Sequence, residues 1–249
     1  MKNTLILIGA FSLVATAPAE EIPLTPGDRL ELLNVKAEAE TFKGKKGIRV
    51  EISDEMRARE EARAARRRAG ANKKAGKKAG AGERGRTEVL AIVKDLEFGN
   101  GTIELDIAGE PAPGSSGGAR GFVGVAFRVQ PDNHTYDAVY LRPANGRADD
   151  QERRNHSVQY MSHPDWPWFR LRQETPSKYE TYADIQPGEW MHLKITVDGE
   201  KARVYVNNSD QPTLVINDVK SGADKTGRVA LWMEGSTIAR YANLEITSK

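Results

Sequence analysis

The sequence contains no cysteine. That excludes disulfides, a thiolate metal site, a cysteine nucleophile and a lipid anchor built on cysteine. Histidine is scarce, with four residues, and aromatics make up only 7% of the chain. Long apolar runs are missing beyond residue 19. No later segment approaches the roughly 20 apolar residues that a membrane-spanning helix needs.

One apolar run stands at the start. Lys2 precedes "TLILIGAFSLVA", and Ala17-Pro18-Ala19 forms a small-x-small site. This predicts a secretory signal over residues 1–19, cut after Ala19. The run is too short for an anchor that spans a bilayer of about 30 Å. The expected mature chain is exported, periplasmic or secreted. Without disulfides it must be held by its core, and 20–249 is enough for one domain.

Anionic residues are sparse in one tract. Residues 57–86 hold twelve Lys and Arg against Glu60, Glu61 and Glu83, a net +9. The whole chain carries +2, so the remainder is near −7. The first half, "DEMRAREEARAARRR", could form a solvated helix capped by Asp54. The second half, "AGANKKAGKKAGAGERGR", is low-complexity and is expected to be disordered. The expectation is therefore a basic insertion over 55–86 within a single domain. The insertion reads first as a tolerated loop expansion, and any partner of its charge would be an acidic envelope polymer. It lacks the interleaved aromatics of a single-strand nucleic-acid binder, so no nucleic acid is expected.

From residue 87 short runs alternate with period two. "GFVGVAFRV", "TYDAVYLRP", "SVQYMS", "WFRLRQE", "WMHLKITVDG" and "KARVYVN" are among them. Turn signals such as "QPDN", "PANG" and "QPGE" separate the runs. About a dozen strands without a convincing helix predict an all-β sandwich or jelly roll. Asp198-Gly199 marks a tight hairpin. In "GFVGVAFRV", Val123, Val125, Phe127 and Val129 should share one face. Phe122, Gly124, Ala126 and Arg128 should share the other, either a concave binding surface or a solvated face.

The pieces "WMHLKITVDGEKARVYVN", "ALW" and "ANLEI" carry a resemblance. Over residues 30–54 and 87–247 the chain resembles the concanavalin A-like lectin/glucanase superfamily. Within it, the chain is similar to bacterial laminin-G-like modules and 3-keto-disaccharide hydrolase domains. The resemblance implies a concanavalin A-like β-sandwich. It leaves activity open, because such folds serve as lectins, polysaccharide-cleaving enzymes and adhesion modules.

The stretch "NGRADDQERRNHSVQYMSHPDWPW" holds two of the four histidines and two of the four tryptophans. Sugars need fixed donors and acceptors together with an aromatic platform. Arg128, Tyr140 and Arg142 supply these on strands. Arg153 and Arg154 could clamp an anionic sugar. Asn155 and Gln159 could bond hydroxyls, and His156 could donate or act as a base. The bland alternative is a loop tied down by Asp149, Asp150 and Glu152. Trp166, bracketed by two prolines, should be rigid and exposed. Arg170, Arg172 and Glu174 should share a polar strand face. Trp190 and Trp232 read as packing, His192 as a surface residue, and His134 as part of a turn.

These residues predict an exported carbohydrate-recognition module that acts without chemistry. The alternatives are a glycan-degrading hydrolase on the same fold and a protein-adhesion domain. In the hydrolytic glucanases that the chain resembles, an E-x-D-x-x-E strand carries the carboxylates. Glu104, Asp106 and Glu110 in "IELDIAGE" depart from that spacing. No cofactor is expected. Asp149-Asp150 offers only a weak calcium signal.

Overall fold

The computed structural model describes residues 18–71, 87–115 and 118–249. The signal-sequence expectation falls mostly on residues outside these, as does the Gly/Ala/Lys half of the insertion. Among the described residues no helix is long and apolar enough to cross a membrane.

Two antiparallel sheets form a jelly-roll sandwich. One sheet runs β13(Leu214–Ile216), β12(Lys201–Val206), β11(Met191–Asp198), β6(Gly101–Pro111), β15(Thr237–Ser248), β4(Lys45–Ile52) and β3(Val35–Phe42). β1(Glu20–Ile22) adds to β15 as an eighth strand. The other sheet runs β10(Glu180–Thr181), β9(Val158–His163), β8(Tyr136–Leu141), β7(Val123–Val129), β14(Arg228–Met233), β5(Leu90–Val93) and β2(Leu30–Leu33).

The eight-stranded sheet shows the expected alternation. Met191, Leu193, Ile195 and Val197 are buried, while the residues between them are partly exposed. They pair with Ile107, Leu105, Ile103 and Gly101 across β6 and face the core. Asp198 pairs with Lys201 and Gly199 has φ +59°, which is the predicted hairpin.

The seven-stranded sheet is different. Every residue of β5, β7, β8 and β9 is buried. Its inner face packs on the sandwich core, and helices and loops cover much of its outer face. Gln159, Tyr140, Gly124, Trp232 and Leu90 form one row across that outer face. Glycine is required in the row. A Cβ on Gly124 would stand 2.2 Å from the Val139 carbonyl and 2.6 Å from Tyr140 Cβ. The Tyr140 and Trp232 rings close over the gap, with centroids 4.7 Å apart.

Helices are more frequent than expected. The basic insertion opens as α1(Asp54–Ala71). Its cap is Ser53 rather than Asp54, because Ser53 Oγ accepts from Met56 N at 3.1 Å. Met56 is buried and is the apolar anchor of an otherwise solvated helix. Three short helices follow, α2(Pro143–Gly146), α3(Gln151–Asn155) and α4(Trp168–Glu174). The run "WFRLRQE" was expected as a strand and is α4, so Arg170, Arg172 and Glu174 do not share a face. On a helix Arg170 and Glu174 are one turn apart, and Arg172 points away from them.

Candidate functional site

A cleft of about 410 Å³ lies on the outer face of the seven-stranded sheet. Phe122, Tyr140, Met161 and Trp232 form its floor. Trp168 of α4 forms one wall, and Met56, Glu60 and Arg63 of α1 another. Glu234 and Ser236, just past β14, add polar groups at the rim. The volume falls in the ~300–1,000 Å³ range of small-molecule sites, and aromatic surface with few polar groups is their usual lining.

Behind the cleft lies a charged cluster. Arg142 Nη2 donates to the Tyr140 hydroxyl at 2.8 Å and to Gln159 Oε1 at 3.3 Å. Its guanidinium stands 5.0–5.7 Å from the ring centroids of Tyr140, Phe122 and Trp168. Glu180, whose side chain is 3% exposed, gathers the cations. Arg172 grips it with Nε at 2.9 Å and Nη2 at 2.6 Å. Arg142 lies 3.9 Å from it. His156 Nδ1 comes within 2.8 Å of Glu180 Oε2 but off hydrogen-bond direction, so charge acts across the contact only when the imidazole is protonated. Arg172 also lies 4.8 Å from the Trp168 ring. The cluster thus contacts the Trp168 wall and the Tyr140 part of the floor.

His156 is held below its ordinary value of 6.5. Burial is the main cause; Glu180 pulls the value back up, and Arg172 and Arg142 push it down. The unfolded chain therefore takes up this proton at higher pH than the folded chain. The folded state loses stability as pH falls through about 6.5 toward the depressed value. His156→Asn should flatten this limb. Urea midpoints of the two proteins at about pH 7.5 and 5.5 give the comparison. Equal slopes would remove His156 from the pH dependence.

Of the predicted residues, Tyr140, Arg142, Gln159, His156 and Arg172 come together. The others do not join them. Arg128 is 1% exposed and sits in a bulge of β7 with φ +54°. It donates to the carbonyls of Gly99, Gly199 and Gly222 and to Ser221 Oγ at 2.7–3.0 Å. A guanidinium so engaged has little left for a sugar. Trp166 is covered on its faces by Arg170, 3.9 Å away, and Lys220, 4.7 Å away. It is therefore no open platform. Arg170 also pairs with exposed Glu174 at 2.7 Å.

The "RRNH" segment lies on α3, with Asp150 Oδ1 accepting from Arg153 N as its cap. Asp150 is thus used as a cap, and Asp149 beside it is exposed. Neither belongs to the one grouping of three ligand-type side chains among the described residues. Arg153 reaches the Ala144 carbonyl at 3.4 Å, and Arg154 lies over Tyr182 and donates to its hydroxyl. Asn155 is exposed and bonds Gln151.

Glu180, Trp168 and Glu234 were not among the expected site residues, and Phe122 was placed only on a face shared with Gly124, Ala126 and Arg128. No local pattern marks them. They converge from β10, the entry to β7, the exit of β14 and α4.

A family profile described as "3-keto-alpha-glucoside-1,2-lyase-like domain" matches residues 40–247. No curated protein matches at a significant level. Among solved structures, the chain is similar to a carbohydrate-binding module from Bacillus subtilis at 15% identity. That match covers 63% of this chain and 80% of the other, with TM-score 0.44. It is also similar to a Bacillus subtilis protein of unknown function with a galectin-like fold, at 10% identity, covering 90% and 97%, with TM-score 0.47. A Caenorhabditis elegans galectin matches at 17% identity, covering 64% and 91%, with TM-score 0.37.

Proposed function

We propose that this chain, which belongs to the family of 3-keto-alpha-glucoside-1,2-lyase-like domains, binds a carbohydrate in the cleft of its seven-stranded sheet. The observation that carries the reading is the partly exposed Trp168 wall over a floor whose rings, Tyr140 and Trp232, are themselves 1–2% exposed, rimmed by Glu234, Ser236 and Arg63. Sugar rings offer C–H faces to aromatic rings and hydroxyls to polar rims. The family description makes a glucoside oxidised at carbon 3 the first ligand to try. Export, proposed on the apolar lead of residues 1–19, would place this binding outside the cytoplasm.

Calorimetric titration with a 3-keto-glucoside and with its unoxidised parent tests the reading. Trp168→Ala should weaken binding roughly 3- to 10-fold, from a stacking contribution of about 0.5–1.5 kcal/mol. Trp166→Ala should leave it unchanged. Equal loss in both variants, or no binding of either sugar, sinks the proposal.

Glu234 favours a second reading, cleavage of the bound glycoside. Elimination next to a ketone needs one base rather than two carboxylates across the bond. Glu234 would take the proton from the carbon beside the carbonyl, the glycosidic C–O bond would break, and the leaving oxygen would collect a proton. Its Oε2 accepts from Ser236 N at 2.9 Å, which holds it on the cleft wall. Product analysis with wild type and Glu234→Gln decides. Turnover that survives the substitution removes Glu234 as the base.

A further inference from the structure

We infer that Glu88, His134 and His163 form a binding site for one divalent transition-metal ion, of the zinc and cobalt class. Their ligand atoms all lie within 4.8 Å of one another. Two imidazoles and one carboxylate are a familiar ligand set for an open divalent site, with further positions left for water or a ligand oxygen. Bonds of about 2.0–2.2 Å would draw the three groups inward by a shift on the order of an ångström.

The surroundings orient these ligands. Glu88 lies two residues before β5, and His163 ends β9. His163 pairs with Tyr136 in the sheet, and the two rings stack with centroids 5.0 Å apart and planes 16° from parallel. Tyr136 donates its hydroxyl to Glu88 Oε2 at 2.6 Å, which leaves Oε1 turned toward His134 Nδ1 at 2.8 Å. His134 sits in a turn fixed by Asp132 Oδ1, which accepts from the backbone N–H groups of His134 and Thr135. Outer hydrogen bonds of this kind hold metal ligands in place and are part of a built site.

Charge gives an independent argument. The Glu88 side chain is 7% exposed, and its ion-pair partner is His134. A carboxylate held this deep needs positive charge beside it. A bound dication would supply it. Access is available as well. The His134 side chain is 40% exposed, and His163 and Tyr136 line a cavity of about 220 Å³ with Lys220 and Lys225. The site is separate from the sugar cleft. Tyr136 links the two through a 3.3 Å hydrogen bond from Trp232 Nε1, so metal binding can be tested without any sugar.

Untagged full chain, stripped with chelator, is titrated with zinc by calorimetry and with cobalt by visible absorption. One equivalent should bind. His134→Ala and Glu88→Gln should weaken it by roughly 100-fold or more. His192→Ala should bind as wild type does, although His192 also contacts two acids, Glu104 and Asp106. Because His134 lies in a half-exposed turn, its variant should fold, and circular dichroism checks this. No saturable binding to wild type, undiminished binding in His134→Ala, or loss in His192→Ala overturns the assignment.

Discussion

Arg128→Lys should lower the melting temperature by roughly 10 °C, the larger of two expected stability effects. Removing one partner from a buried, charged network costs about 3–5 kcal/mol. For a chain of this size each kcal/mol moves the midpoint by roughly 2–4 °C. Arg128 donates to three glycine carbonyls and a serine hydroxyl from separate loops, at Gly99, Gly199, Ser221 and Gly222. A lysine ammonium is a single point and cannot span them all. Carbonyls left unpaired keep their desolvation cost. Asp137 adds to the loss. Burial pushes its carboxyl up, against hydrogen bonds from Ser221, Tyr160 and Ser162 and the charge of Arg128. Calorimetric melts of wild type and variant give the comparison. A shift under about 2 °C would show that the guanidinium does not tie these loops together.

The second large effect is expected at Glu180. Glu180→Gln removes the anion shared by Arg172, Arg142 and His156 while nearly preserving shape. Two guanidiniums then face each other across a buried point without a counter-charge. The expected loss is about 3 kcal/mol by urea denaturation. The His156 imidazole should titrate lower in the variant, since Glu180 raises its value while Arg172 and Arg142 lower it. Glu174→Gln is the matched control. Its pair with Arg170 is exposed and one helical turn apart, worth only about 0.3–0.5 kcal/mol. Equal losses at the two glutamates would mean that the cluster behind the cleft is no more than a surface ion pair.

The eight-stranded sheet was legible in the sequence because its outer face meets solvent. Alternation in "WMHLKITVDG" therefore reports burial directly, and the Asp198-Gly199 turn falls where its residues predict. The seven-stranded sheet was harder, because both of its faces are covered. Alternation there separates two buried faces, and it cannot say which polar side chain reaches a ligand. Arg128 shows the consequence: the pattern put it beside Phe122 and Gly124, whereas a bulge turns it into the interior.

The run "WFRLRQE" alternates as a strand would, yet it pairs with no strand. It follows Pro167, which holds the N-cap position without a side-chain capping bond, and buries Leu171 as a helix. The site was half legible for a similar reason. Tyr140 and Gln159 pair on adjacent strands in a register that their pattern suggests, and Arg142 lies just past the end of β8. Glu180 and Glu88 are lone acids in unremarkable runs. Only the pairing of β10 with β9, and the turn that brings His134 to Glu88, give them partners.

The central claim is that sugar enters the cleft of the seven-stranded sheet. The four tryptophans make it directly measurable, because each carries one indole N–H resonance. Trp168 and Trp232 line the cleft, Trp166 lies against Arg170 and Lys220, and Trp190 bonds the Phe42 carbonyl near the other sheet. In an NMR titration with a 3-keto-glucoside, the indole signals of Trp168 and Trp232 should shift and saturate together, while those of Trp166 and Trp190 stay in place. Saturable shifts at Trp166 or Trp190 with Trp168 and Trp232 unmoved would contradict the account.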